Sequence, residues 1–111
     1  MDEKMWRYGC LFCRTGAEAT IAGYINQTIT DVEAVAPTRA RRKTVAGKPV
    51  EDQVQLLPGY LFFRTESDEQ LPQLTRITNV LKLLEYDKLS WELTGSDREF
   101  AEFLFDNDLL Q

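Results

Sequence analysis

The sequence contains no histidine, and its other chemically versatile residues are sparse. Among 111 residues there are two Cys, four Pro and six Gly. Histidine is the commonest general base and a frequent metal ligand, so its absence removes much of enzyme chemistry. Two cysteines without histidine also leave a structural zinc site short of its four ligands. The glycines show no G-x-G-x-x-G or phosphate-loop spacing. We therefore expect a protein that is not an enzyme and that holds no cofactor and no metal.

Long hydrophobic runs are also missing. No run approaches the roughly 20 apolar residues that cross a membrane, and the first four residues are not followed by a signal-peptide pattern. The sequence thus predicts a soluble, cytoplasmic protein without a membrane partner. Hydrophobic residues make up 43% of the chain and include two Trp, four Tyr and six Phe. This content is enough for one folded domain over residues 1–111, which we expect to be monomeric.

Positive charge is scarce outside one short segment. The chain carries 13 basic and 18 acidic residues, a formal charge of −5. Residues 39–48 hold five of the basic residues and none of the acidic ones, so the remainder has a charge of −10. This negatively charged remainder of the chain repels phosphate, but a local basic loop can still contact a nucleic-acid backbone. The candidates in this segment are Arg39, Arg41, Arg42 and Lys43, and a solvated hairpin without a partner is the alternative.

The first third of the chain predicts a strand followed by a helix. Residues 8–13 (YGCLFC) are short and aromatic, which is typical of a buried strand. Thr15 and Glu18 have capping-box spacing, and the helix they start is expected to reach residue 28. Its predicted apolar stripe is Ala17, Ile21, Tyr24, Ile25 and Thr28, with Glu18, Asn26 and Gln27 in solvent.

The remaining segments complete an α+β pattern. Strands are predicted at 32–36, 60–65 and 80–86, with 60–65 central. A hairpin with arms 39–44 and 50–56 projects from the body, and a short helix spans 71–77. A second capping box, Ser96 to Glu99, starts a final helix with Phe100, Phe103 and Leu104 on its apolar face. This order predicts a four-stranded antiparallel sheet with helices packed on it, related to the ferredoxin-like plan.

Cys10 and Cys13 have C-x-x-C spacing, which occurs in thiol redox enzymes. Redox pairs lie at a helix N-terminus, where the thiol pKa is lowered. In a strand, residues three apart point to opposite faces of the sheet. We therefore expect two buried, reduced cysteines.

Three aromatic residues are spaced to share one sheet face. Tyr60 and Phe62 lie two apart on the central strand, and Phe12 lies on the first strand. These rings either form core or present an apolar patch to a partner. The residue pattern by itself leaves both interpretations open.

Four blocks in order and spacing resemble one known family. They are residues 8–18 (YGCLFCRTGAE), 35–37 (VAP), 56–63 (LLPGYLFF) and 80–84 (VLKLL). Together they are similar to the N-terminal (NGN) domain of NusG-family transcription elongation factors, over nearly the whole chain. The opening strand looks closer to the specialised RfaH and LoaP antiterminators.

The resemblance implies a non-enzymatic domain that docks on the β′ clamp helices of RNA polymerase through an apolar cavity. Phe12, Tyr60, Phe62 and Leu83 match the family's cavity positions. Asp68, Glu69, Gln70 and Leu71 fall where the family contacts the opposite pincer, in the β subunit, although Asp68 and Glu69 differ from the family's contact motif. Arg14 matches a position that faces non-template DNA, whereas Thr20 and Tyr24 replace other family contacts.

Family members carry a KOW domain after this one, and no residues of this chain encode it. We therefore expect the chain to be one domain of a longer factor. The alternative function is a sheet-face RNA-binding module that stacks bases on the same aromatic residues. Stacking platforms come with positive grooves, and only Arg14 and Arg64 flank these strands.

Overall fold

The computed structural model describes residues 5–85 and 90–107, with the backbone alone for residues 39–41, 53 and 55. Six strands and three α-helices, with one 3₁₀ turn, follow each other in the predicted order. They are β1 (Arg7–Cys13), α1 (Glu18–Thr28), β2 (Val32–Val35), β3 (Thr38–Val45), β4 (Lys48–Gln55), β5 (Tyr60–Thr65), a 3₁₀ turn (Asp68–Gln70), α2 (Leu71–Thr75), β6 (Val80–Leu83) and α3 (Gly95–Asp106).

The main sheet has the strand order β2-β5-β1-β6, and each neighbouring pair is antiparallel. Helix α1 connects β1 to β2, and β5 lies between these two strands. This is the split β-α-β arrangement of ferredoxin-like folds. The predicted α+β class and the central position of residues 60–65 are confirmed.

Each face of the sheet carries its own hydrophobic cluster. Leu11, Cys13, Leu61 and Phe63 point towards α1 and α2, where they form the larger cluster. Tyr8, Cys10 and Phe62 point to the other face, where Ala101 and Leu104 of α3 cover them. Side chains alternate along a strand, so β1 and β5 each contribute to both clusters. The prediction that Cys10 and Cys13 lie on opposite faces is confirmed, and both thiols are free and buried.

Helix α1 is rotated relative to the predicted stripe. Ile21, Ala22 and Ile25 are buried, whereas Tyr24 is 50% exposed and Thr28 is exposed. The first capping box is also wrong: Ala17 is the N-cap, no side chain caps the helix, and Glu18 is buried instead of solvated. Packing against a sheet selects the stripe that fits between strands, and periodicity alone does not determine this rotation.

The C-terminal elements differ from prediction in three ways. Strand β6 ends at Leu83, and the predicted residue 86 lies outside the described residues. Helix α3 has Thr94 as its N-cap without a side-chain hydrogen bond, so the second capping box is wrong. Phe103 is 59% exposed, because α3 packs through Ala101 and Leu104. In the described part of the chain, no helix is long and apolar enough to cross a membrane.

The β3–β4 hairpin forms a separate two-stranded sheet, as predicted. Its turn is tighter than expected and consists of Ala46 and Gly47, both with positive φ, which is typical of a type I′ turn. Residues 42–51 are exposed. The hairpin therefore projects from the body and depends on its own cross-strand pairs.

Candidate functional site

An apolar cavity of about 410 Å³ opens on the sheet face that α3 partly covers. Strands β1 and β5 supply its floor, the turn before β5 supplies one wall, and α3 supplies another. Nine residues line it: Cys10, Leu57, Tyr60, Phe62, Leu84, Glu85, Leu93, Asp97 and Phe100. We call this the docking cavity. Its position follows from strand alternation, which places Cys10 and Phe62 directly opposite each other on one face.

Phe12, Tyr60 and Phe62 lie on one sheet face, as expected, but Phe12 is not among the residues that line the cavity. Phe12 and Tyr60 are cross-strand partners whose ring centroids lie 5.4 Å apart. Phe62 meets Phe100 of α3 edge-on at 5.5 Å. Phe62 is buried, Phe12 is half-buried, and Tyr60 is 36% exposed. The same face is therefore core at Phe62 and exposed surface at Tyr60.

Leu83, the fourth predicted cavity residue, lies elsewhere. It is paired with Leu11 and packs against the cluster under α1. The next residue, Leu84, lines the cavity and donates its backbone N–H to the Cys10 carbonyl. The pairing of β1 with β6 shifts register between Phe12 and Cys13. Because a one-residue slip exchanges the two faces, a sequence match could not distinguish Leu83 from Leu84.

The wall formed by Leu57 and Tyr60 is a tight turn. The Tyr60 N–H donates to the Leu57 carbonyl at 3.0 Å, with Pro58 and Gly59 between them. Gly59 has φ +90°, as the third position of a type II turn requires. Its buried N–H donates to the Glu18 carboxylate at 2.6 Å. Glu18 was missed as a site residue, since its capping-box spacing predicted a solvent position.

Two acidic residues and no described basic residue line the docking cavity. The acidic residues are Glu85 and Asp97. At the floor, burial raises the pKa of the Cys10 thiol to about 12. Burial, with a smaller contribution from Glu18, also raises the pKa of Cys13. Both thiols thus stay protonated at neutral pH, which is the opposite of an activated redox pair.

The predicted second contact, Asp68 to Leu71, occupies the 3₁₀ turn and the start of α2. Asp68 forms an ion pair with Arg7 of β1, and Leu71 packs against the cluster under α1. Glu69 is exposed, and Gln70 accepts a hydrogen bond from Gln73. Asp68, Gln70 and Leu71 thus each make a side-chain contact within the protein, and Glu69 is exposed.

A second groove lies between α1 and the loop before β6. It is lined by Thr20, Tyr24, Arg76, Thr78 and Asn79, together with Gly16, Ala17, Ile21 and Ile77. Arg14 adjoins it, because its N–H donates to the Asn79 carbonyl at 2.9 Å. Arg14 and Arg76 are exposed. We call this the α1 groove. Arg76 was missed by sequence reasoning, since a single cation after a short helix carries no motif.

Strand alternation places the described basic side chains of the hairpin on its two opposite faces. Arg42 lies directly opposite Glu51, and Lys43 forms an ion pair with Asp52 at 3.2 Å on the other face. The side chains of Arg39 and Arg41 lie outside the described residues. The described cations thus do not form a single patch, and two of them face acidic neighbours. Among the described residues, no group of acidic and cysteine side chains could hold a metal.

Comparison with known proteins agrees with this fold. The family model described as "Transcription termination factor nusG" matches residues 6–104. The structure is similar to one reported for "Domain interaction in Thermotoga maritima NusG", with a TM-score of 0.60 and 18% sequence identity. The match covers 89% of this chain and 55% of that one, so the chain spans about half the length of its structural relative. No curated protein matches the sequence significantly.

Proposed function

The chain belongs to the NusG family, and on that premise we propose that it is the polymerase-binding domain of a transcription elongation or antitermination factor. It docks on the clamp-helix coiled coil of the RNA polymerase β′ subunit and promotes processive elongation without chemistry of its own. The observation that carries this proposal is the docking cavity, where Tyr60 and Phe100 reach solvent at 36% and 38% exposure. A concave apolar surface of this kind marks a binding site.

The charges around the cavity favour a protein partner over RNA. Base-stacking surfaces combine aromatic rings with a positive groove that follows the phosphates. Here the aromatic rings stand beside Glu85 and Asp97, and no described Lys or Arg lines the cavity. An apolar helix flanked by Lys or Arg is complementary to this surface. The RNA-binding alternative is therefore the weaker of the two.

Two further contacts belong to the proposal. We propose that the 3₁₀ turn, through Glu69, faces the polymerase β subunit. We also propose that the α1 groove lies against non-template DNA, because exposed Arg14 and Arg76 adjoin an exposed Tyr24 there. Guanidinium groups beside an aromatic ring suit single-stranded nucleic acid. The closer likeness to RfaH and LoaP stays a prediction, since both matches carry the general family name.

Binding of this chain to a recombinant β′ clamp-helix fragment, measured by isothermal titration calorimetry, tests the proposal. Tyr60→Ser and Phe100→Ser remove the exposed rings of the cavity, and we expect each to weaken binding at least about tenfold. Tyr24→Ser is the matched control, because Tyr24 is also about half exposed but lies on α1, across the sheet. It should bind as tightly as the unaltered chain.

The outcomes separate the two functions. Loss of binding in Tyr60→Ser and not in Tyr24→Ser supports docking through the cavity. Equal affinities in the two Tyr variants contradict it. If the unaltered chain does not bind the clamp-helix fragment but binds single-stranded RNA with a steep salt dependence, the RNA-binding alternative replaces the proposal.

A further inference from the structure

Glu18 is a fully buried carboxylate, with an exposed fraction of 0%. Its two oxygens accept hydrogen bonds from the backbone N–H groups of Gly16, at 2.8 Å, and Gly59, at 2.6 Å. A buried charge is costly unless charge-assisted hydrogen bonds compensate it. These two donors and the N-terminus of α1 provide that compensation. Glu18 thereby joins the loop before α1 to the turn before β5.

That turn is a wall of the docking cavity. Gly59 is followed by Tyr60 and preceded within the turn by Leu57, both lining residues. The Gly59 carbonyl accepts a hydrogen bond from the Cys13 N–H at 2.8 Å. Gly59 is also close to the aromatic pair, since a Cβ at this position would lie 3.1 Å from the Phe12 ring. A shift of the turn would therefore move both Phe12 and Tyr60.

We propose that Glu18 is a positioning residue for the docking cavity: its carboxylate fixes the turn at Gly59, and the turn sets where Phe12 and Tyr60 present their rings. Glu18 itself does not reach the partner, since it is buried on the α1 side of the sheet. The inference rests on the proposed function for its effect on binding, but its effect on the rings is independent of any partner.

Glu18→Gln tests the inference, because glutamine keeps the size of the side chain but replaces one acceptor by a donor. The Gln amide can then satisfy only one of the two N–H groups. We expect affinity for the clamp-helix fragment to fall about tenfold, and the aromatic NMR signals of Phe12 and Tyr60 to shift. Thr65→Val is the control. Thr65 is an equally buried polar residue at the far end of β5, where its hydroxyl donates a hydrogen bond to the Ser67 carbonyl.

Gly59→Ala provides a second variant in case Glu18→Gln does not fold. Its control is Gly47→Ala in the hairpin turn, which also has positive φ but meets no atom within 4 Å. We expect Gly59→Ala to displace the Phe12 and Tyr60 signals and to weaken binding about tenfold. Gly47→Ala introduces a similar backbone strain, but it should neither displace the Phe12 and Tyr60 signals nor weaken binding.

Three results decide the inference. Displaced ring signals and weaker binding in Glu18→Gln and Gly59→Ala, with neither effect in the controls, support it. If Glu18→Gln folds and its Phe12 and Tyr60 signals are unchanged, the inference is overturned, whether or not the variant binds the fragment. If the unaltered chain does not bind the fragment, docking on the clamp helices fails, and the ring signals still decide whether Glu18 positions the cavity.

Discussion

The carboxylate of Glu18 accepts a hydrogen bond from the backbone N–H of Gly59, 41 residues further along the chain. Glu18→Gln should therefore lower the free energy of unfolding by about 1–3 kcal/mol, the cost of leaving a buried donor unsatisfied. Urea denaturation measures this change. Glu66→Gln is the control, because Glu66 is exposed and should tolerate the substitution within about 0.5 kcal/mol. Similar losses in both variants would contradict a special role for the buried carboxylate.

Two glycines predict opposite effects of the same substitution. A Cβ at Gly9 would lie 2.4 Å from the Phe63 ring and 2.8 Å from Trp91, so Gly9→Ala overpacks the core. We expect it to destabilise the fold by about 1–3 kcal/mol. Gly23 lies within α1 and has no atom within 4 Å of that position. Gly23→Ala should stabilise the protein by about 0.5–1 kcal/mol, because alanine favours a helix.

Thermal unfolding of the two variants provides the comparison. The melting temperature should fall in Gly9→Ala and rise in Gly23→Ala. A melting temperature that does not fall in Gly9→Ala would contradict the close contact with Phe63 and Trp91, and one that does not rise in Gly23→Ala would contradict the helix argument.

The two thiols should be unreactive in the folded protein. Cys10 and Cys13 are 5% and 1% exposed, and burial raises both pKa values. Titration with a disulfide reagent at pH 8 is expected to modify neither thiol within minutes, and to modify both after unfolding in urea. Rapid modification of the native protein, or an intramolecular disulfide under mild oxidation, would restore the redox interpretation.

Cys10 also predicts a loss of stability at high pH. Below its ordinary pKa of 9.0 the thiol is protonated in both states, so it contributes no pH dependence. Above pH 9 the unfolded chain releases this proton, whereas the folded chain holds it until about pH 12. The free energy of unfolding should therefore decrease across this window, by at most about 1.4 kcal/mol per pH unit. Cys10→Ala, compared at pH 8 and 10.5, should show a smaller decrease.

Arg64 predicts a stability effect that a lysine cannot reproduce. Its guanidinium carbon lies 4.5 Å from the ring centroids of both Trp6 and Phe105, and its Nε donates to Glu33 at 2.9 Å. Burial lowers the pKa of Arg64, but the hydrogen bonds and charge interactions with Glu33 and Tyr8 together outweigh it, so the pKa is raised. Arg64→Lys should cost about 1–2 kcal/mol, because an ammonium group does not stack on the rings.

Chemical denaturation followed by tryptophan fluorescence measures the Arg64→Lys effect. Arg42→Lys is the matched control, since Arg42 is exposed on the hairpin. An Arg64→Lys midpoint equal to that of Arg42→Lys would mean that stacking on Trp6 and Phe105 contributes nothing.

Local pattern was sufficient for much of the fold. Short aromatic runs predicted β1 and β5. The period of two along a strand was enough to place Cys10 and Cys13 on opposite faces and Tyr60 and Phe62 on one face. These features depend on neighbours within a few residues, so the sequence carries them directly.

Long-range packing decided the rest of the candidate site. The burial of Glu18 requires a donor 41 residues away, and the exposure of Tyr24 follows from how α1 rotates against the sheet. Leu84, and not Leu83, lines the cavity because β6 pairs with β1 through a register shift. The sequence by itself determined which segments are strands and helices and which strand residues share a face. Only the tertiary structure decided the registers between elements, because these depend on the joint packing of both sheet faces.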